Sequence, residues 1–271
     1  MSAVKKNYVV ETLRKAQMVE MLAQGKRLDG RGVDETRELK IETGLIEKAN
    51  GSAKVSLGST QVIAGVKIAT GTPFPDTPNK GLLIVTAEVL PLASPYAEAG
   101  PPDEDAIELA RVVDRGVRES EMVDLTVLCL VEGKVVYSVF VDVSILNVDG
   151  NLFDATSYAV VSALRTAKMP KYEVEGDKAK ATGKSGPVPI SKIPVSITIA
   201  RIGGKLIVDP GIEEEAVMDA RITLTTDDEG NICAGQKGNP GTLTPAQVME
   251  ASELALRKGK EIRKQILKAT S

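Results

Sequence analysis

The chain contains no histidine and no tryptophan, only two cysteines, and few aromatic residues, 3% in all. Without histidine, Ser-His-Asp and Cys-His nucleophilic catalysis, His-ligated zinc and imidazole acid–base work are excluded within this chain. Cys129 and Cys233 are too few for a disulfide framework, and Cys129, inside an apolar run, reads as a small buried residue of a reducing compartment. The shortage of rings leaves Val, Ile, Leu and Ala to build the core. No run approaches the roughly 18 apolar residues needed to span a bilayer, and the first ten residues carry no hydrophobic signal core. The expectation is a cytoplasmic protein with no membrane contact. Excess positive charge is missing too. The net charge is −3, so any binding of nucleic acid must come from a local basic patch.

What is present is ordinary in bulk: 271 residues, 42% apolar and 26% charged, enough for one large domain or two ordinary ones. The organising stretch is 101–122, PPDEDAIELARVVDRGVRESEM. Pro102 and Asp103 open it as a helix, with further acids in the first turn. At 100° per residue, Ala106, Ala110, Val113 and Val117 form one apolar stripe. Arg111, Arg115 and Arg118, at i, i+4 and i+7, form a second stripe, roughly 140° round from the first. A helix clamped by the first face would hold three guanidiniums outward, a means of gripping phosphates with fixed forks. Local ion pairing is the competing reading, because Glu108 precedes Arg111 by one turn and Glu119 follows Arg115 by one turn.

Residues 7–24 predict an amphipathic helix with Val9, Leu13, Ala16 and Ala23 on one face, widened by Met21 and Leu22 and stopped by Gly25. Residues 25–37 read as an extended surface arm rich in glycine and arginine. Short apolar runs at 38–42, 53–57, 60–69 and 81–90 read as strands, and 124–131 with 134–145 as a hairpin. Residues 152–167 form a helix apolar nearly all round, hence buried. The Lys- and Gly-rich stretch 171–194 is the best internal boundary; its Gly183-Lys184-Ser185 is no P-loop, because the required earlier glycine is Lys178. Strands follow at 195–202, 205–209, 220–226 and 231–234. The last helix opens with a capping box of Thr244 and Gln247 around Pro245, and turns Val248, Ala251, Ala255, Ile262 and Ile266 inward. The organisation expected is an N-terminal helix and basic arm (1–33), a first half (34–168), a linker (169–194) and a C-terminal half (195–271).

Several segments in order carry a family likeness: Arg27-Leu28-Asp29-Gly30-Arg31, Gly51-Ser52-Ala53, Leu57-Gly58-Ser59-Thr60, Glu88-Val89-Leu90-Pro91, the arginine helix, Asp149-Gly150, and 209–230. Together, over about residues 26–266, they resemble the RNase PH family. The resemblance implies an α+β RNase PH fold of two βαβα-like halves with mixed sheets and helices. Gly100-Pro101-Pro102-Asp103-Glu104, the run 107–111, and Asp209-Pro210 followed by Glu213-Glu214-Glu215 resemble one branch of it, the non-catalytic RNase PH-like subunits of the archaeal exosome. That branch implies a hetero-hexameric ring with a catalytic RNase PH-like paralogue, RNA-binding cap subunits, and single-stranded RNA degraded 3′→5′ by phosphate attack.

Active family members carry G-T-R-T after the Asp-Gly turn to hold the attacking phosphate. Here the turn is followed by Asn151-Leu152-Phe153-Asp154, with Phe153 at the place of the phosphate arginine and Asp154 adding repulsion. The family's two aspartates six apart fall on Glu215 and Arg221, with Asp219 nearby. The resemblance therefore implies no catalytic residue, cofactor or metal, and an RNA-binding role for Arg111, Arg115 and Arg118. Two alternatives stand: a self-sufficient exoribonuclease working through Glu215 and Asp219, and a structural ring subunit that touches no RNA. A magnesium site at Glu213, Glu214 and Glu215 competes with a plain acidic helix start. For Arg27 and Arg31, RNA contact and surface charge are both open.

Overall fold

The computed structural model describes residues 8–271 except 96, 98, 99 and 177. The glycine-bounded apolar runs become a sheet. β1 (Leu39–Thr43), β2 (Gly51–Leu57) and β3 (Thr60–Gly71) make an antiparallel meander. β6 (Val135–Asn147) pairs with β3, and β4 (Leu82–Val89) lies at the edge, parallel to β6. A parallel pair needs a long crossover. It is supplied here by α2 (Glu104–Glu119), which packs on β4. Of the expected hairpin only β5 (Cys129–Val131) is extended before β6; residues 124–128 are mostly turn.

α3 (Leu152–Thr166) is buried nearly all round because it lies between this sheet and a second one. The second sheet has the order β10 (Lys205–Val208), β9 (Val195–Ile202), β11 (Ala220–Thr226), β12 (Ile232–Gly238), all antiparallel. α4 (Ile212–Val217) precedes β11, and α5 (Pro245–Ala269) packs on β9 and β11 through Ala251, Ala255, Ile262 and Ile266. Val248 stays more exposed than expected, at the helix start. Thr244 and Gln247 close the capping box around Pro245 as the sequence predicts.

One segment differs in part from expectation. α1 (Tyr8–Ala23) docks by its C-terminal half: Met18 and Leu22 are buried against Ala200, Ile202, Ile207, Val217 and Met218. Leu13 is 69% exposed, and Ala16 and Ala23 are exposed too; of the predicted face Leu22 is buried and Met21 half-buried, so docking uses only its widened edge. Residue 7 and the side chain of Val9 lie outside the described residues. The stretch 169–194, expected to link the halves, carries most of a hairpin, β7 (Lys168–Glu175) with β8 (Lys178–Pro187). Tyr172 meets Tyr137 edge-on at 5.5 Å, and the Tyr137 hydroxyl donates to the Pro170 carbonyl, which fixes the hairpin base to β6.

Candidate nucleic-acid interface

The cap of α2 forms as its sequence dictates. The Asp103 side chain accepts from the Ala106 N–H at 2.8 Å, and Glu104 and Asp105 sit in the first turn, where the helix dipole favours them. Ala106, Leu109, Val112, Val113 and Val117 bury one face. Gly116 allows close approach to the second half: a Cβ there would stand 2.9 Å from the Thr225 hydroxyl of β11. The other face carries Arg111, Arg115 and Arg118, all exposed.

These arginines line a groove of about 1340 Å³, bounded by the β4 edge (Leu82 to Val85), the loop carrying Phe74 and Lys80, and Lys192 and Gln236 from the second half. Their situations differ. Arg118 is held: its guanidinium pairs with Asp114, Nη2 to Oδ1 at 2.8 Å, and donates to the Leu83 carbonyl at 2.7 Å. Among the described residues nothing pairs with Arg111 or Arg115. Glu108, the expected local partner, has turned away to Arg221, whose Nη2 donates to Oε1 at 2.7 Å.

Arg221 and its neighbours pack against the start of α3. Phe153 is buried, and the Arg221 guanidinium carbon lies 4.0 Å from its ring centroid, a cation–π contact. The start of α3 is taken. Asn151, in the left-handed region at φ 51°, caps the helix, and its N–H donates to Glu215 at 2.9 Å. A helix N-terminus that would otherwise hold an anion thus holds a carboxylate of its own chain. Burial pushes Glu215 up to about 7.

Asp154 corrects the sequence expectation. Its carboxylate does not face the groove and repels nothing there. It is buried, accepts from Thr198 N at 3.0 Å and Thr198 Oγ1 at 2.8 Å, and takes a further bond from the Asn151 amide. Burial raises it to about 7. The other candidates also find structural partners. Arg27 is fully buried: Nε donates to Glu214 at 2.8 Å, and Nη1 and Nη2 donate to the Val208 and Asp209 carbonyls. Arg31 and Arg37 both pair with Asp209. Burial would raise Asp209, yet the hydrogen bonds and charge of Arg37 hold it below the ordinary carboxylate range. Glu213, Glu214 and Glu215 point to three different partners, Arg14, Arg27 and Asn151. No cluster of metal-ligating side chains occurs among the described residues, and no described helix is long and apolar enough to cross a membrane.

Sequence reasoning did not find Arg27, Arg37 and Asp209 as one cluster, nor Glu108 as the partner of Arg221. These contacts join residues more than 110 positions apart, except within the arm itself.

Residues 35–170 match the model for domain 1 of the 3′ exoribonuclease family, and 192–258 match that for domain 2. The chain belongs to this family, the RNase PH family, and has its α+β fold. It is 48% identical over 263 residues to the exosome complex component Rrp42 of Thermococcus kodakarensis, covering 96% of this chain and 97% of the relative. Identity to the component of the same name from Pyrococcus abyssi is 49%, covering 97% of each. Among solved structures, a chain of the Archaeoglobus fulgidus exosome with RNA bound to the active site superposes with a TM-score of 0.87 at 42% identity, over 95% of this chain and 99% of that one.

Proposed function

We propose that this chain is a non-catalytic ring subunit of an archaeal exosome, a phosphorolytic 3′→5′ exoribonuclease complex of the cytoplasm. It pairs with an active RNase PH-like paralogue in a hetero-hexameric ring, beneath RNA-binding cap subunits. Its own work is to hold single-stranded RNA through Arg111, Arg115 and Arg118. One observation carries the reading: Arg111 and Arg115 project without a partner into a groove, while the backbone N–H at the start of α3 is already taken by Glu215 and Arg221 is paired with Glu108 over the Phe153 ring.

The self-sufficient enzyme is not favoured. Glu215 is bound to the Asn151 amide, and Asp219 is taken by Lys15 and the Gly203 N–H. RNA degradation in phosphate, by this chain alone and then mixed with the paralogue, tests the proposal. We expect no nucleoside diphosphate from the pure chain and release from the mixture. Release by the pure chain, abolished by E215Q or D219N, refutes it.

A further inference from the structure

Phe74 is the side chain whose position the fold does not explain. The chain has only three phenylalanines. Phe153 is buried and Phe140 half-buried, but Phe74 is 59% exposed at the wall of the arginine groove. Burying a ring of this size is among the larger single contributions to a core, and this chain has few rings to spend. The exposure is not that of a loose loop tip. Pro73 and Pro75 flank the residue and restrict its backbone, and Pro73 is itself buried. The Thr77 N–H closes a turn on the Phe74 carbonyl, the Lys80 N–H closes the next on Thr77, and the Pro78 carbonyl accepts from Gly133 N at 2.8 Å. The loop is braced at both ends, and its apex presents an aromatic ring to the groove, with Lys80 at its far end.

An apolar ring beside unpaired cations has two candidate occupants, a nucleic-acid strand or a protein surface. The lining also carries acids, Glu104, Asp114, Glu119, Glu121 and Asp124, so it is the two unpaired guanidiniums, not the groove's net charge, that decide between them. A protein closing over this groove would bury Arg111 and Arg115 and would have to supply acids to both. A single strand brings phosphates to the guanidiniums and bases to the ring in one chain, and every base has a face that stacks on an aromatic side chain.

We propose that Phe74 is a stacking platform for one base of the RNA strand whose phosphates Arg111 and Arg115 hold. This rests on the RNA-holding role proposed above and adds to it the element that fixes the strand's register. Phe74 is a positioning residue, and it acts without sequence preference.

The test uses the ring assembled with the paralogue and single-stranded oligonucleotides carrying one abasic nucleotide at successive positions. F74A should weaken RNA binding roughly tenfold, with the slope of affinity against salt unchanged, because no ion is released at a stacked base. F74W should bind as tightly as the parent. F74L, which keeps apolar volume but no ring, should behave as F74A. One abasic position should weaken the parent ring and leave F74A unaffected. Wild-type affinity in F74A, alongside weakened binding in the R111A R115A double variant, overturns the Phe74 proposal alone. Wild-type affinity and salt slope in the double variant overturn the RNA-holding role itself. Loss of ring assembly in F74A without RNA, rescued by F74L, assigns the ring to a protein contact and also overturns the stacking proposal.

Discussion

The guanidinium of Arg221 lies 4.0 Å over the ring of Phe153 while reaching Glu108 on the arginine helix at 2.7 Å. The cation is 3% exposed and joins β11, α3 and α2 at one point. Its charge is therefore used inside the molecule. The same contact removes Glu108 from the reach of Arg111.

R221A should cost about 2 kcal/mol of stability, from the lost cation–π contact and the charge-assisted hydrogen bond together. It should also leave Glu108 free to pair with Arg111 one turn away. Urea unfolding measures the first effect. The second should appear as weaker RNA binding by a ring that still assembles; unchanged binding would mean that Glu108 does not regain its helical neighbour.

Replacing Arg111 and Arg115 by alanine in the assembled ring should flatten the slope of log affinity against log salt by about 1.4, since each single-strand phosphate contact is worth about 0.7. R118A should change it less, because Asp114 already neutralises that guanidinium at 2.8 Å. Stability should stay within roughly 0.5 kcal/mol for the double variant, as for exposed positions generally, and fall by about 1 kcal/mol in R118A, which loses its bond to the Leu83 carbonyl. Fluorescence anisotropy at several salt concentrations reads both variants.

R27A should destabilise the chain by about 3–5 kcal/mol, because it removes the cation that neutralises buried Glu214 and its bonds to the Val208 and Asp209 carbonyls. A variant with wild-type unfolding in urea would show that the arm can rearrange to satisfy them. The contrast with the exposed arginines is the point of the measurement: the same residue type, in one chain, is structural at 27 and free at 111.

Asp154 makes stability depend on pH. Its folded-state value is raised to about 7 by burial, against an ordinary aspartate value near 4. Between those values the folded state binds the extra proton. The contribution is whole below about pH 4 and is lost as pH rises toward 7. Asp227 acts in another window: hydrogen bonds from Asn231 and Lys192 outweigh its burial and hold it at about 2, so its contribution is lost only in acid. D154N should therefore lose less stability than the parent between about pH 4 and pH 7. An asparagine oxygen can accept from Thr198 N and Asn151 while its amide donates to the Thr198 hydroxyl, so the fold is kept. Equal losses in both proteins would place the titrating group elsewhere.

The arginine helix was legible in the sequence because its cap, its apolar stripe and its cationic stripe are all local and periodic. So was the capping box at Thr244. The arm was not. Arg27 and Arg31 lie among glycines with no apolar pattern, and their partners Val208, Asp209 and Glu214 come from the other half. The hairpin at 168–187 was hidden by its composition. Its strands set Glu173 opposite Lys180 and Glu175 opposite Lys178, a pairing visible only once the register is known. α1 was legible only at Leu22: its periodicity fits more than one face, and β9 and α4 decide that Met18 is buried beside Leu22 while Leu13 is not.

Gly116 has a consequence for how the halves can change. The ridge that displays Arg111 and Arg115 belongs to the first half but rests on Thr225 of the second, with no room for even a methyl group between them. Its height above the groove is thus gauged from both sides, as a workpiece is by two jaws of a vice. A chimera taking its C-terminal half from a distant relative could keep every arginine and still present them at the wrong pitch.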